Sequence, residues 1–328
     1  MARIVRFHEL GGPEVLRVEE YEPAAPGPGE VLVDVAAIGL NRAEASYRRG
    51  RYFEQPRVFP ASLGYEAAGT VAAVGEGVTG IDPGAAVSVL PSFSMNDYAV
   101  YAERTIVPAA SLVALPEGFD AAAGAAVWMP YLTAFGGLVD VAGLGAGDPV
   151  VITAASSSVG LAAIRVARQV GAVPVALTRT AAKVDAVRAA GAEHVVVTDE
   201  VGVTAGIEAA VGAARVVFDP VAGPGVADLA AATAPGGTLV IYGGLSGEPT
   251  PFPRSALANG LALRGFLLFE IMGDPARRAR ALDHITEHVR RGDYPAAIDR
   301  TFGLADIVAA HEYLESNRQI GKIVVTVP

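Results

Sequence analysis

The chain has 328 residues, enough for two domains, and 52% of them are hydrophobic against 18% charged, which excludes disorder over most of its length. A net charge of −10, with no basic run beyond Arg48-Arg49 and Arg51, excludes an electrostatic binder of nucleic acid. The count of zero cysteines excludes disulfides, iron–sulfur clusters, thiolate zinc sites and a cysteine nucleophile.

The opening MARIVRFHEL lacks the apolar core of a secretory signal, and no uninterrupted apolar run reaches the roughly 18 residues of a membrane span. A cytoplasmic protein without membrane contact is expected. Short β-like runs follow at 30–38, 66–75, 85–90 and 98–107, separated by turn clusters such as PAAPGPG at 23–29. Many short strands at this spacing predict a β-rich barrel or sandwich. From about residue 121 the rhythm becomes strand, helix, strand, helix. Strands are predicted at 150–154, 173–177, 194–197, 215–218, 237–242 and 263–269, with helices at 158–170 and 181–190 among those between them. Such alternation predicts a parallel, doubly wound α/β sheet. The tail reads as a helix from Pro275 to about Arg291, a helix at 305–316 and a strand at 322–327, a segment able to rejoin the first domain.

The segment VVITAASSSVGLAA at 150–163 places a strand, a turn of small residues and a helix start in order. In the dinucleotide fingerprint G-x-G-x-x-G, the three glycine positions fall here on Ala155, Ser157 and Gly160. Small residues let the backbone approach a pyrophosphate, and the helix N-terminus offers N–H groups and a positive dipole end. An NAD site carries an acid near the end of the second strand, bonding the ribose 2′-hydroxyl. Here that strand ends in Thr178-Arg179-Thr180, with Lys183 one turn on and no acid before Asp185. Cations and hydroxyls there suit a 2′-phosphate, so NADP(H) is the expected cofactor.

These features resemble the zinc-independent medium-chain dehydrogenase/reductase superfamily, in its quinone oxidoreductase and enoyl reductase branch. The likeness rests on GLNRAEASYRRGRY at 39–52, SLGYEAAGTVAAVG at 62–75, MPYLTAFGGL at 129–138, AASSSVGLAAIRVARQVGA at 154–172, LTRTAAKVDAVRAAGA at 177–192, FDPVAGP at 218–224 and IGKIVVTV at 320–327. It implies a GroES-like β-rich catalytic domain from 1–124 completed by 272–328, with a Rossmann domain at 125–271. Zinc-dependent relatives place Cys, His and Cys near the nicotinamide. The corresponding positions resemble Asn41, Tyr65 and Trp128 or Met129, so no metal is expected. His284-Ile-Thr-Glu287-His288 matches an inverse-zincin pattern, but no third ligand is apparent. Leu282, Ile285 and Val289 form that helix's expected buried stripe, which leaves both histidines on a solvated face.

Without a Lewis acid, an α,β-unsaturated carbonyl or a quinone is easier to reduce than a simple ketone. Hydride adds to the β-carbon, and the resulting enolate needs a hydrogen bond and then a proton. The resemblance implies that Asn41 and Tyr52 lie on the loop facing the nicotinamide, Tyr52 in a G-x-Y motif as proton donor, with Tyr47 shaping the pocket. It also implies cofactor contacts from Asn41, from Thr133 near the carboxamide, and from Ser157, Ser158, Val159 and Gly160 at the pyrophosphate. Further contacts fall on Tyr242, Gly243 and Gly244 at the end of the fifth strand, on Phe266, Leu267 and Leu268 along the nicotinamide, and on Asn317 and Lys322. The expected activity is NADPH-dependent reduction of a quinone, enone or related carbonyl. A zinc-free alcohol or carbonyl oxidoreductase, or a catalytically weak NADPH-binding protein, are the alternatives. A homodimer through strand 263–269 is expected, because a long apolar edge strand left bare would template aggregation.

Overall fold

The computed structural model describes residues 1–328. The chain forms two units, Met1–Met129 with Pro295–Pro328, and Pro130–Tyr294. Both boundaries differ from those expected. Ala125 and Ala126 pack with Ala37, Ala68 and Val324, which keeps the segment after 124 with the first unit. Helix Pro275–Arg290 stays with the second. Its His284 ring lies 4.7 Å from that of Phe135, and Tyr294 beyond it stacks on Tyr131 at 4.3 Å and 11°.

The first unit is β-rich. Its seven-stranded sheet runs, in spatial order, Ile298–Gly303, Lys322–Thr326, Glu30–Gly39, Glu66–Val74, Ala86–Val89 and Leu112–Ala114, with Arg104–Pro108 also paired to Glu30–Gly39. A separate antiparallel pair joins Ala2–Arg6 to Arg17–Tyr21. Most β-like runs form strands near the expected limits. The run 98–107 contributes only Arg104–Pro108, because the amides of Val100 and Tyr101 turn to the carbonyl of Leu63 instead of a ladder. Helix Arg42–Arg48, not expected from periodicity, starts in a capping box between Asn41 and Glu44.

The second unit holds a six-stranded parallel sheet in the order His194–Val197, Val173–Thr178, Pro149–Ile152, Ala214–Asp219, Thr233–Ile241, Ala262–Gly265. Numbered along the chain, these strands follow the doubly wound order 3-2-1-4-5-6, whose direction reverses between the first and fourth. Val150, Val151 and Ile152 have no exposed surface, nor do Val216, Val217 and Phe218, as expected of a sheet covered on both faces.

Two expectations need correction here. The last strand is not 263–269. It stops at Gly265, where the chain turns inward and Phe266 packs so closely that a methyl group on Gly136 would come within 2.8 Å of its ring; Phe269–Met272 is helical. Second, the segment Ala121–Val141 is long and apolar enough to cross a membrane, and 78% of its apolar window is buried inside the protein.

Candidate functional site

In the second unit, Val173–Thr178 lies beside Pro149–Ile152, and the turn after the latter opens helix Ser158–Gln169. Ser157 is the N-cap, its Oγ accepting from the Gly160 amide at 3.0 Å. The first helical amides, on Ser158 and Val159, have no intrahelical acceptor and are available to an anion. Ala154 takes a left-handed φ of 45°, which bends the chain out of the strand. A Cβ at Gly160 would sit 2.6 Å from the carbonyl oxygens of both Ala154 and Ala155, so only glycine fits there. Across the switch point, the buried Asp219 accepts from Thr153 Oγ1 and from the amides of Val221 and Ala222, which fixes the start of the neighbouring loop.

At the end of the second strand, Thr178 is buried and its hydroxyl donates to the Thr180 carbonyl at 3.0 Å. Arg179 and Thr180 are exposed and Lys183 half-buried in the short 3₁₀ turn Ala181–Lys183, which precedes helix Val184–Ala189. A guanidinium and an ammonium are therefore carried at the tip of this strand.

In the first unit, a polar chain runs through the interior. Lys322 Nζ donates to Asn41 Oδ1 and Glu66 Oε2, each at 2.6 Å. Lys322 is 1% exposed and Glu66 fully enclosed. Asn41 Nδ2 donates to the Gly39 carbonyl and to Glu44 Oε1, both at 3.1 Å. Glu44 also accepts from the Asn41 amide and from Tyr101 OH, which lies 3.2 Å from His311 Nε2. Burial pushes the Glu44 carboxyl up to about 7, and the facing Lys322 charge opposes that rise. Burial raises Glu66 as well, again opposed by Lys322, and it lowers His311 to about 3.

A second network surrounds the aromatic loop. The half-buried Tyr52 lies beside Tyr65, with rings 6.4 Å apart and their side chains interacting, and Tyr65 OH donates to Glu54 at 2.9 Å. Glu54 also accepts from Ser94 Oγ, from the Met95 amide at 3.1 Å and from Asn96 Nδ2 at 3.3 Å. Burial raises both phenols well above the ordinary range, so each stays protonated at neutral pH.

Family models match the chain as an alcohol dehydrogenase GroES-like domain over residues 27–117 and as a zinc-binding dehydrogenase over 190–325. The quinone oxidoreductase of Pseudomonas aeruginosa is 31% identical over 99% of both chains. The chain belongs to the quinone oxidoreductase branch of the medium-chain dehydrogenases. Among solved structures of this family, the Escherichia coli quinone oxidoreductase complexed with NADPH aligns with a TM-score of 0.90 at 27% identity, covering 99% of each chain. The Pseudomonas syringae pv. tomato quinone oxidoreductase aligns at 0.89 with 27% identity, over 99% of this chain and 100% of that one.

The zinc in one model's name finds no fitting donors here. Asn41 and Tyr65 are committed to Lys322 and Glu54, and Glu66 faces an ammonium. His284 Nε2 is bonded to Tyr294 OH at 2.9 Å and His288 Nδ1 to Asp293 at 2.8 Å. Both rings are half-buried rather than solvated, and the helix's buried stripe is Ala281, Ile285 and Val289 in place of Leu282.

Several quinone oxidoreductase positions are placed differently from the expectation. Asn41 donates both amide hydrogens within the protein, so its side chain cannot donate to an oxyanion. Lys322, expected in the stretch that closes over the cofactor, is an enclosed ion-pair partner of Glu66. Tyr47 is 1% exposed, donates to Asn96 Oδ1 at 3.0 Å and is pushed up to about 12 by burial, which makes it a core residue rather than a pocket wall. Phe266 and Leu268 are buried, while Leu267 is exposed. Thr133 is buried, and the Tyr242 hydroxyl is buried without a hydrogen-bond partner. Gly243 and Gly244 are exposed after strand Thr233–Ile241. Asn317 is exposed, takes a left-handed φ of 58° and accepts from Arg42. Glu44, Glu54, Glu66, Tyr101 and His311 were missed. They stand singly in the sequence, and only folding brings them together.

Proposed function

We propose that the protein is an NADPH-dependent reductase of quinones and of activated C=C bonds, working without a metal. The observation that carries the reading is the switch-point turn, where only glycine fits at 160, beside a strand followed by Arg179 instead of an acid. The residues fit the cofactor. The amides of Ser158 and Val159 would hold the pyrophosphate, and Arg179 with Lys183 the 2′-phosphate. When bound, the cofactor supplies the hydride. In the first unit, Tyr52 is the proton donor, a phenol kept protonated by burial and therefore able to protonate an enolate carbon. The network around Asn41 serves as scaffold.

The sheet's outer strand Ala262–Gly265 and the exposed Leu257 and Leu267 support a homodimer through this edge, which sedimentation at micromolar protein would test. The function is tested by following NADPH consumption with a benzoquinone and with an enone, beside NADH and with added chelator. Turnover favouring NADPH and indifferent to chelator is expected. No turnover with either acceptor would overturn the reading.

A further inference from the structure

Tyr52 does not stand alone. Its ring lies 6.4 Å from that of Tyr65, the two side chains interact, and Tyr65 OH donates to Glu54 at 2.9 Å. Glu54 is half-buried on a loop whose neighbours Phe53 and Gln55 are exposed. Its carboxylate is held from the other side by Ser94 Oγ, the Met95 amide and Asn96 Nδ2, so it keeps three partners if Tyr65 turns away. Asn96 is itself fixed, since its Oδ1 accepts from Tyr47 OH at 3.0 Å and from the Arg57 amide at 2.8 Å, and its Nδ2 donates to the Gln55 carbonyl at 3.0 Å. A carboxylate held this firmly at the outer end of two phenols has the geometry of a proton wire.

We propose that Glu54 and Tyr65 form a relay that returns a proton to Tyr52 after each reduction. This rests on Tyr52 being the donor. When the substrate has accepted hydride at its β-carbon, the Tyr52 O–H bond breaks and the proton forms a C–H bond at the α-carbon, leaving a phenolate. Tyr65 passes its hydroxyl proton to that oxygen. Glu54 then takes a proton from water and, as the neutral acid, passes it to the Tyr65 phenolate, which restores both the phenol and the carboxylate. One proton enters from solvent at Glu54 for each one that leaves on product, and no electrons move along the wire. Both residues are positioning residues, since neither touches the substrate. A quinone needs the relay less, because its reduced form is stable as an anion until solvent protonates it.

The test compares kcat with an enone and with a benzoquinone for the parent, Glu54→Gln, Tyr52→Phe and their double variant, all with NADPH. Glu54→Gln keeps an amide oxygen for Tyr65 but cannot carry a proton. It is expected to lower the enone-to-quinone ratio of kcat about tenfold or more. The double variant is expected to match Tyr52→Phe alone, as for groups acting through one another. Equal loss on both acceptors, or losses that multiply in the double variant, would overturn the relay and leave Tyr52 as donor. An unchanged enone rate in Tyr52→Phe would overturn the donor assignment and the relay with it. Should Glu54→Gln fail to fold, Tyr65→Phe cuts the same wire and is judged by the same ratio.

Discussion

Replacing Lys322 by Met would leave the Glu66 carboxylate enclosed with no cation. The parent pair is 2.6 Å apart, with Lys322 1% exposed and Glu66 at 0%, and the same ammonium also anchors Asn41. Breaking a buried pair from one side costs about 3–5 kcal/mol, because the remaining charge is not hydrated. For a unit of this size that corresponds to a fall in Tm of roughly 6–20 °C. Protonation of Glu66 limits the loss, at about 1.4 kcal/mol per pKa unit. Its folded-state pKa is already raised by burial and rises further without Lys322. A raised carboxyl pKa contributes stability below its unfolded value that is lost as pH climbs, so the variant's deficit should be small near pH 4 and grow toward pH 8. Trp128 is the chain's only tryptophan, is buried and lies in the same unit, so its emission during urea unfolding reports the effect. Adding Glu66→Gln should recover most of the loss, since the amide oxygen can still accept from the Met129 amide. A single variant within about 1 kcal/mol of the parent, or a double variant worse than the single, would refute the buried-pair argument.

Three further outcomes are expected. Arg179→Ala should weaken NADPH roughly ten- to hundredfold by calorimetry while leaving NADH nearly unchanged, for a lost charge-assisted contact of about 1.5–3 kcal/mol; equal losses for the two cofactors would contradict it. Gly160→Ala forces a methyl to 2.6 Å from two carbonyl oxygens, so the turn must shift, with a loss of about 1–3 kcal/mol in denaturation and weaker NADPH binding; an unchanged variant would show that the turn can relax. Glu44, raised by burial from 4.5 to about 7, contributes stability that is present below pH 4.5 and lost as pH rises toward 7, on the order of 3 kcal/mol, and Glu44→Gln should flatten that part of the stability–pH curve.

The second unit was legible because its signals are local. A short apolar run, a small-residue turn and an amphipathic helix recur, and the basic tip at Arg179 is contiguous in sequence. Strand 263–269 was misjudged because its apolar run continues through Phe266, whose side chain packs inward after the strand has ended. The first unit was legible as a count of strands, but not as a chemical interior. Asn41 and Glu44 can be read as a capping box, yet nothing near them announces Lys322, 281 residues away from Asn41. His311, a lone histidine in sequence, is enclosed against Tyr101. Buried polar networks assembled from distant positions leave no periodic trace, which is why catalytic expectations fell on Asn41 and Tyr47 and passed over Glu54.

Strand Lys322–Thr326 lies inside the first unit's sheet, between Ile298–Gly303 and Glu30–Gly39, yet it is synthesised only after the whole second unit. The second unit is one continuous segment and can close as soon as residue 294 has left the ribosome. The first unit has to wait with an interior strand missing and Glu66 without its counter-charge. At about 5–20 residues per second, its amino-terminal strands spend roughly 10–40 s as an open sheet with an unpaired edge. Translation order thus makes the amino-terminal strands the part that most needs protection by chaperones, and loss of strand Lys322–Thr326 should be felt there first.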